Sequence, residues 1–118
     1  MSMDRLAAAV SRGARTIAVP YASSLTVSLT RIDQINIGVL TGPLTLTLTD
    51  GDDAQPVRIR FMQDATGGRV LTLAASFRLC ADLPNVVLST GANKTDYLGV
   101  LVNAIAGKYD VVSLMRGF

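Results

Sequence analysis

The chain has no histidine and no tryptophan, one cysteine (Cys80), and few charged or aromatic residues, 17% and 5% of 118. Each shortage excludes something. Without histidine there is no Ser–His–Asp or Cys–His nucleophile. With a single thiol as well, a zinc site of the Cys/His type has no ligands. One cysteine allows no intrachain disulfide. With no histidine to serve as its base, Cys80 reads as a small buried hydrophobe. No apolar run approaches the ~20 residues of a membrane-spanning helix. No basic-then-apolar leader follows Met1, so neither a membrane anchor nor a cleaved signal peptide is expected. Lys+Arg number 11 against 9 Asp+Glu, a net +2. That balance is too even to suggest a nucleic-acid partner.

What is present is apolar. Hydrophobic residues make up 49% of the chain, which excludes intrinsic disorder. One domain of this size hides roughly two-thirds of its unfolded surface, so a core needs no staples. The mean hydropathy is positive, which implies apolar surface left over for other chains. The composition suits a structural module better than an enzyme, and no cofactor or metal is expected.

Two regions differ in pattern. In Asp4–Arg12 alanines lie between Leu6 and Val10, which stand at i and i+4, and Gly13 follows. This predicts a short helix too small to persist alone in water. Residues 1–15 therefore read as an arm, helical or extended, that docks on a neighbour. Residues 16–118 form the domain. There the period is two: Leu25, Val27 and Leu29 alternate with Ser and Thr, Leu44, Leu46 and Leu48 with Thr45, Thr47 and Thr49, and Val57, Ile59 and Phe61 with Arg58 and Arg60. Such alternation marks strands with one buried face. Ile35–Val39 adds a short run. Tyr97–Ile105 is apolar on both faces, as in a central strand, and Tyr109–Met115 follows it after a Gly107–Lys108 turn. Turn residues recur at short intervals and no crossover helix is predicted. No internal repeat of fixed period stands out. The fold class expected is all-β: an antiparallel sandwich of jelly-roll type with a short N-terminal arm.

Few groupings invite chemistry. Asp50, Asp52 and Asp53 could hold Ca²⁺, but no closing glutamate follows them, and an Asp-Gly hairpin turn explains them. Gly67-Gly68 runs on into a strand and lacks the Lys-Ser/Thr of a phosphate loop, so its glycines read as turn residues with positive φ. Arg58, Arg60, Arg69 and Arg78 could share a basic face, solvated or salt-bridged to a partner. Asp64, Asp82, Asp96 and Asp110 show no pairing that would suggest a glycosidase.

One order of motifs goes beyond a generic β pattern: Phe61-Met62-Gln63-Asp64-Ala65-Thr66-Gly67-Gly68-Arg69, then Leu88-Ser89-Thr90-Gly91-Ala92-Asn93-Lys94-Thr95-Asp96-Tyr97, then Gly107-Lys108-Tyr109-Asp110. Over residues 57–118 this resembles a β-domain found at the C-terminal ends of tailed-bacteriophage tail fibres and other minor virion proteins. That family commonly carries tryptophan after the Gly-Gly turn and in the last hairpin. Here Leu73-Ala74 and Tyr109 stand in those places, which weakens the case for a receptor-binding role. Gln63, Asp64, Thr66, Gly67, Gly68, Arg69, Asn93 and Asp96 are turn-specifying residues in this reading: Asp64 and Thr66 bond the turn backbone, and Asn93 and Asp96 cap the loop before the central strand.

The resemblance implies a place in a virion. With a short arm and no shaft sequence, a capsid decoration (cement) protein is expected, bound to the major capsid protein or other virion proteins and forming a homotrimer. Leu6, Val10, Ile17, Val19 and Tyr21 are the candidate contacts. A tail, baseplate or fibre component is the first alternative. A carbohydrate-binding module for a bacterial surface glycan is the second, and a depolymerase a third, disfavoured by the missing histidine.

Overall fold

A computed structural model describes residues 14–118. The candidate contacts Leu6 and Val10, and the predicted helix that carries them, lie outside the described residues. Nine strands follow: β1 (Thr16–Val19), β2 (Ser24–Ser28), β3 (Gln34–Ile37), β4 (Leu44–Thr49), β5 (Pro56–Met62), β6 (Leu71–Leu73), β7 (Phe77–Arg78), β8 (Thr95–Asn103) and β9 (Lys108–Met115). No helix is present among the described residues. The all-β expectation holds.

The strand pairing differs from the sequence expectation. One sheet has the order β1-β3-β5-β8-β9-β7 and the other β2-β4-β6. Over the first six strands the odd-numbered ones stack in the first sheet and the even-numbered ones in the second, and β1–β3, β3–β5, β2–β4 and β4–β6 are all parallel. The chain winds through three successive coils, each with one strand in each sheet. Only β5–β8 and β8–β9 are antiparallel, so this is not a jelly roll. A parallel pair needs a crossover of a dozen or more residues, usually a helix. Here the crossover from one strand to the next is the intervening strand of the opposite sheet.

Ladders fix the register. Ile17, Ile35 and Ile59 align across the first sheet, and Leu25, Leu46 and Leu73 across the second. Ile35, Ile59 and Leu46 join Leu44, Leu48, Val57, Phe61, Leu98 and Val100 in one core, and Leu25 and Leu73 pack against it. Thr45 and Thr47 align with Ser24 and Thr26 on the outside, where a branched β-carbon suits the pleated surface.

The corners replace the hairpins expected from turn residues. Asp50–Asp53 links β4 to β5, which lie in different sheets, so the segment turns a corner. Asp53 Oδ1 accepts the Ala104 amide at 3.0 Å, and Gly51 sits against Val102 and Tyr109. Gly67 and Gly68 do adopt positive φ (73° and 71°), but in the corner between β5 and β6. Cys80 is exposed, not buried, because the chain leaves the sheet after β7 and crosses the surface there. The four arginines do not share one face. Arg58 and Arg60 project from β5, Arg69 pairs with Asp64, and Arg78 on β7 pairs with Asp110.

Candidate functional site

The motif residues 63–69 and 89–96 meet at one end of the core. Gln63 is buried, and its amide group closes a ring on one backbone residue: Arg69 N–H donates to Oε1 (2.9 Å) and Nε2 donates to Arg69 O (3.0 Å). Asp64 Oδ1 accepts the amides of Thr66 and Gly67 at 3.1 and 3.0 Å, an Asx turn. Arg69 Nη2 donates to Asp64 Oδ2 at 2.8 Å. That side-chain hydrogen bond, more than the two turn amides, holds the Asp64 carboxyl below its ordinary value against partial burial. Thr66 contributes its amide. Gly67 faces the Thr90 carbonyl so closely that a Cβ would collide with it. Asn93, at φ 58°, donates its amide to Asp64 O at 3.0 Å.

Asp96 ties the next layer. It is 1% exposed, and it accepts Ser89 N–H and Ser89 Oγ–H at 2.6 Å each and the Gly117 amide at 3.0 Å. The Asp64 and Asp96 carboxylates and the buried Gln63 amide group are all spent on neighbouring loop groups, so the cluster fixes loops.

The other candidate contacts fall on the first coil. Ile17 lies on β1 and is 36% exposed. Val19 and Tyr21 pack partly buried against the core. Tyr21 also donates its hydroxyl to Pro43 O at 2.8 Å, over a Gly42 that leaves room for the ring. Among the described residues no group of three or more His, Cys, Asp or Glu is placed to hold a metal.

The outer face of the six-stranded sheet was not legible in the sequence pattern. Leu101 (41%), Val112, Met115 and Phe118 (67%) are exposed there or at its margin. Arg58 and Arg60 stand between them and the polar end of the sheet. Their cross-strand neighbours are Gln34, Gly99, Asn36 and Tyr97, none of them acidic. Arg58 Nε donates to Gln34 Oε1 at 3.0 Å, and Arg60 Nε is buried without a hydrogen-bond partner. By contrast Arg78 is bidentate on Asp110, at 2.7 and 2.8 Å, which holds the Asp110 carboxyl low. Phe118 reaches the face because Thr95 and Phe118 exchange two backbone hydrogen bonds, which set its ring edge-on to Tyr97 at 5.8 Å. Val112 is turned out by the register shift at Gly99/Val100.

No family model matches the chain, and no curated protein matches its sequence.

Proposed function

We propose that the protein is a structural component of a tailed-bacteriophage virion, a capsid decoration protein that works by contact and without chemistry. The observation that carries this reading is the outer sheet face. A solvated sheet face is normally polar, whereas this one groups four exposed apolar side chains beside two arginines whose cross-strand partners are uncharged. Contiguous apolar surface rimmed by charge marks a protein-binding site. The partner is the major capsid protein or another virion protein, gripped by this face together with the N-terminal segment that carries Leu6 and Val10. The polar clusters support the same reading, because their donors and acceptors are consumed in holding loops.

Copy number tests it. Quantitative mass spectrometry of purified virions gives the ratio to the major capsid protein. Near one-to-one places the protein on the shell, and a few copies place it in the tail or a fibre. Absence from particles refutes the reading. Met115→Asp with Phe118→Asp removes attachment while leaving the circular dichroism of the free protein unchanged; full attachment of that variant excludes the sheet face.

A further inference from the structure

Among the described residues the two ends of the stack of three coils differ. At the far end the β8–β9 hairpin continues the first sheet past β5, and the segment leading to Thr90 lies beside the corner into β6, its Thr90 carbonyl accepting the Gly68 amide at 3.0 Å. The last edge of the six-stranded sheet, β7, is two residues long and carries Arg78, held by Asp110. Short, charged or covered edges are how sheets avoid unwanted pairing. At the near end, β1 and β2 form the first coil, and each is the edge of its sheet. Their sequences, Thr-Ile-Ala-Val and Ser-Leu-Thr-Val-Ser, contain no charge and no proline.

The ladder bonds show which groups this edge leaves over. Gln34 N–H donates to Arg15 O and Gly38 N–H to Val19 O, while Thr45 N–H donates to Ser23 O and Leu29 N–H to Thr49 O. A parallel ladder uses alternate residues. Arg15, Ile17 and Val19 of the first sheet, and Ser23, Leu25, Val27 and Leu29 of the second, therefore face inward along the ladders. The backbone groups of Thr16, Ala18, Ser24, Thr26 and Ser28 point away from the coil, without a partner among the described residues. The core opens at the same place. In one ladder Ile35 and Ile59 are 0% exposed and Ile17 is 36%; in the other Leu46 is buried and Leu25 only partly so.

We propose that this end pairs with the same end of a second copy of the chain. A single extended peptide could satisfy one edge and would leave the other bare and the core uncovered. The fitting occupant carries two strands in one layer, one for each sheet, above an apolar ladder. The β1–β2 coil of a second copy is such an object. A two-fold axis perpendicular to the stacking direction sets each free edge against a strand running antiparallel to it. Both sheets then continue across the junction and Ile17 and Leu25 are buried. Because the two-fold sets the same patch of both copies together, the contact is isologous and stops at two. The unit is a dimer, in place of the trimer expected from the sequence. The pairing does not depend on what the outer sheet face binds, and it is read without a virion.

Sedimentation equilibrium of the full chain over a range of concentrations tests it. Twice the chain mass is expected; a monomer throughout, or a trimer, overturns the proposal. Ala18→Pro with Thr26→Pro removes two outward amides and keeps every inward one, so it is expected to sediment as a monomer with unchanged circular dichroism. A dimer that survives this variant overturns the proposal. Hydrogen exchange on the unaltered chain gives a second reading should the variant fail to fold. The amides of Thr16, Ala18, Ser24, Thr26 and Ser28 are expected to slow as concentration rises through dimerisation. Exchange at those amides that does not respond to concentration overturns the two-edge pairing.

Discussion

Asp96 is a carboxylate in the core with donors on three sides, the amide and hydroxyl of Ser89 and the amide of Gly117. Removing an acceptor from buried donors costs about 1–3 kcal/mol for each group left unpaired. Asp96→Ala is therefore expected to lose about 3 kcal/mol of unfolding free energy in urea, and Asp96→Asn less, since its amide oxygen still accepts. A loss under about 1 kcal/mol for the alanine variant would mean that the donors find other partners. Asp64 and Asp110 act differently. Both are held below the ordinary carboxylate value by an arginine. A depressed folded value contributes stability that is present above the unfolded value and lost as pH falls through the folded one. Thermal melts should therefore hold steady from neutral pH down to about pH 4, the unfolded carboxylate range, and then decline. Asp64→Asn should flatten part of that acid decline, by a modest amount because the half-buried pair still touches solvent.

At the scale of the element, Gly67 and Gly68 share a backbone conformation and differ in space. Both have φ near +70°, but a Cβ at Gly68 meets nothing within 4 Å, while one at Gly67 would run into the Thr90 carbonyl. Gly68→Ala is expected to cost about 1–2 kcal/mol, the ordinary penalty for a left-handed residue. Gly67→Ala must also displace backbone and should cost clearly more. Paired melting curves decide it, and equal losses would show that the Thr90 segment yields. The strands themselves were legible in the sequence: Leu44, Leu46 and Leu48 turn inward and their threonines outward, as the period of two requires. Their direction was not legible. Alternation reports one solvated face, and that is commoner in antiparallel sheets, but a coil covered only from within shows the same alternation in parallel strands. The Asp50-Gly51 turn misleads for a related reason, since a corner between sheets needs the same permissive residues as a hairpin. Within the site, the Asx turn and paired glycines can be read locally. The outer face cannot, because Val112 and Phe118 reach it through a register shift and a pairing across more than twenty residues.

Taken whole, the molecule is a short stack of coils finished at one end by the β8–β9 hairpin, with its loops knotted there by Gln63, Asp64 and Asp96. The coils are unequal in length: 18 residues separate Ile17 from Ile35 and 24 separate Ile35 from Ile59, yet the three isoleucines align in one ladder. The difference is taken up between the paired stretches, in longer corners and in the starts of β4 and β5 left unpaired with β2 and β3, which is why no fixed period shows in the sequence. It also makes the protein a natural carrier for foreign peptides. A segment spliced into a corner or into the β8–β9 tip, where Ile105 is 94% exposed, would lengthen one loop and leave every ladder partner in place. The entropic cost of a longer loop grows only slowly with its length. Such an insert would be displayed at the surface of the folded domain with its core undisturbed.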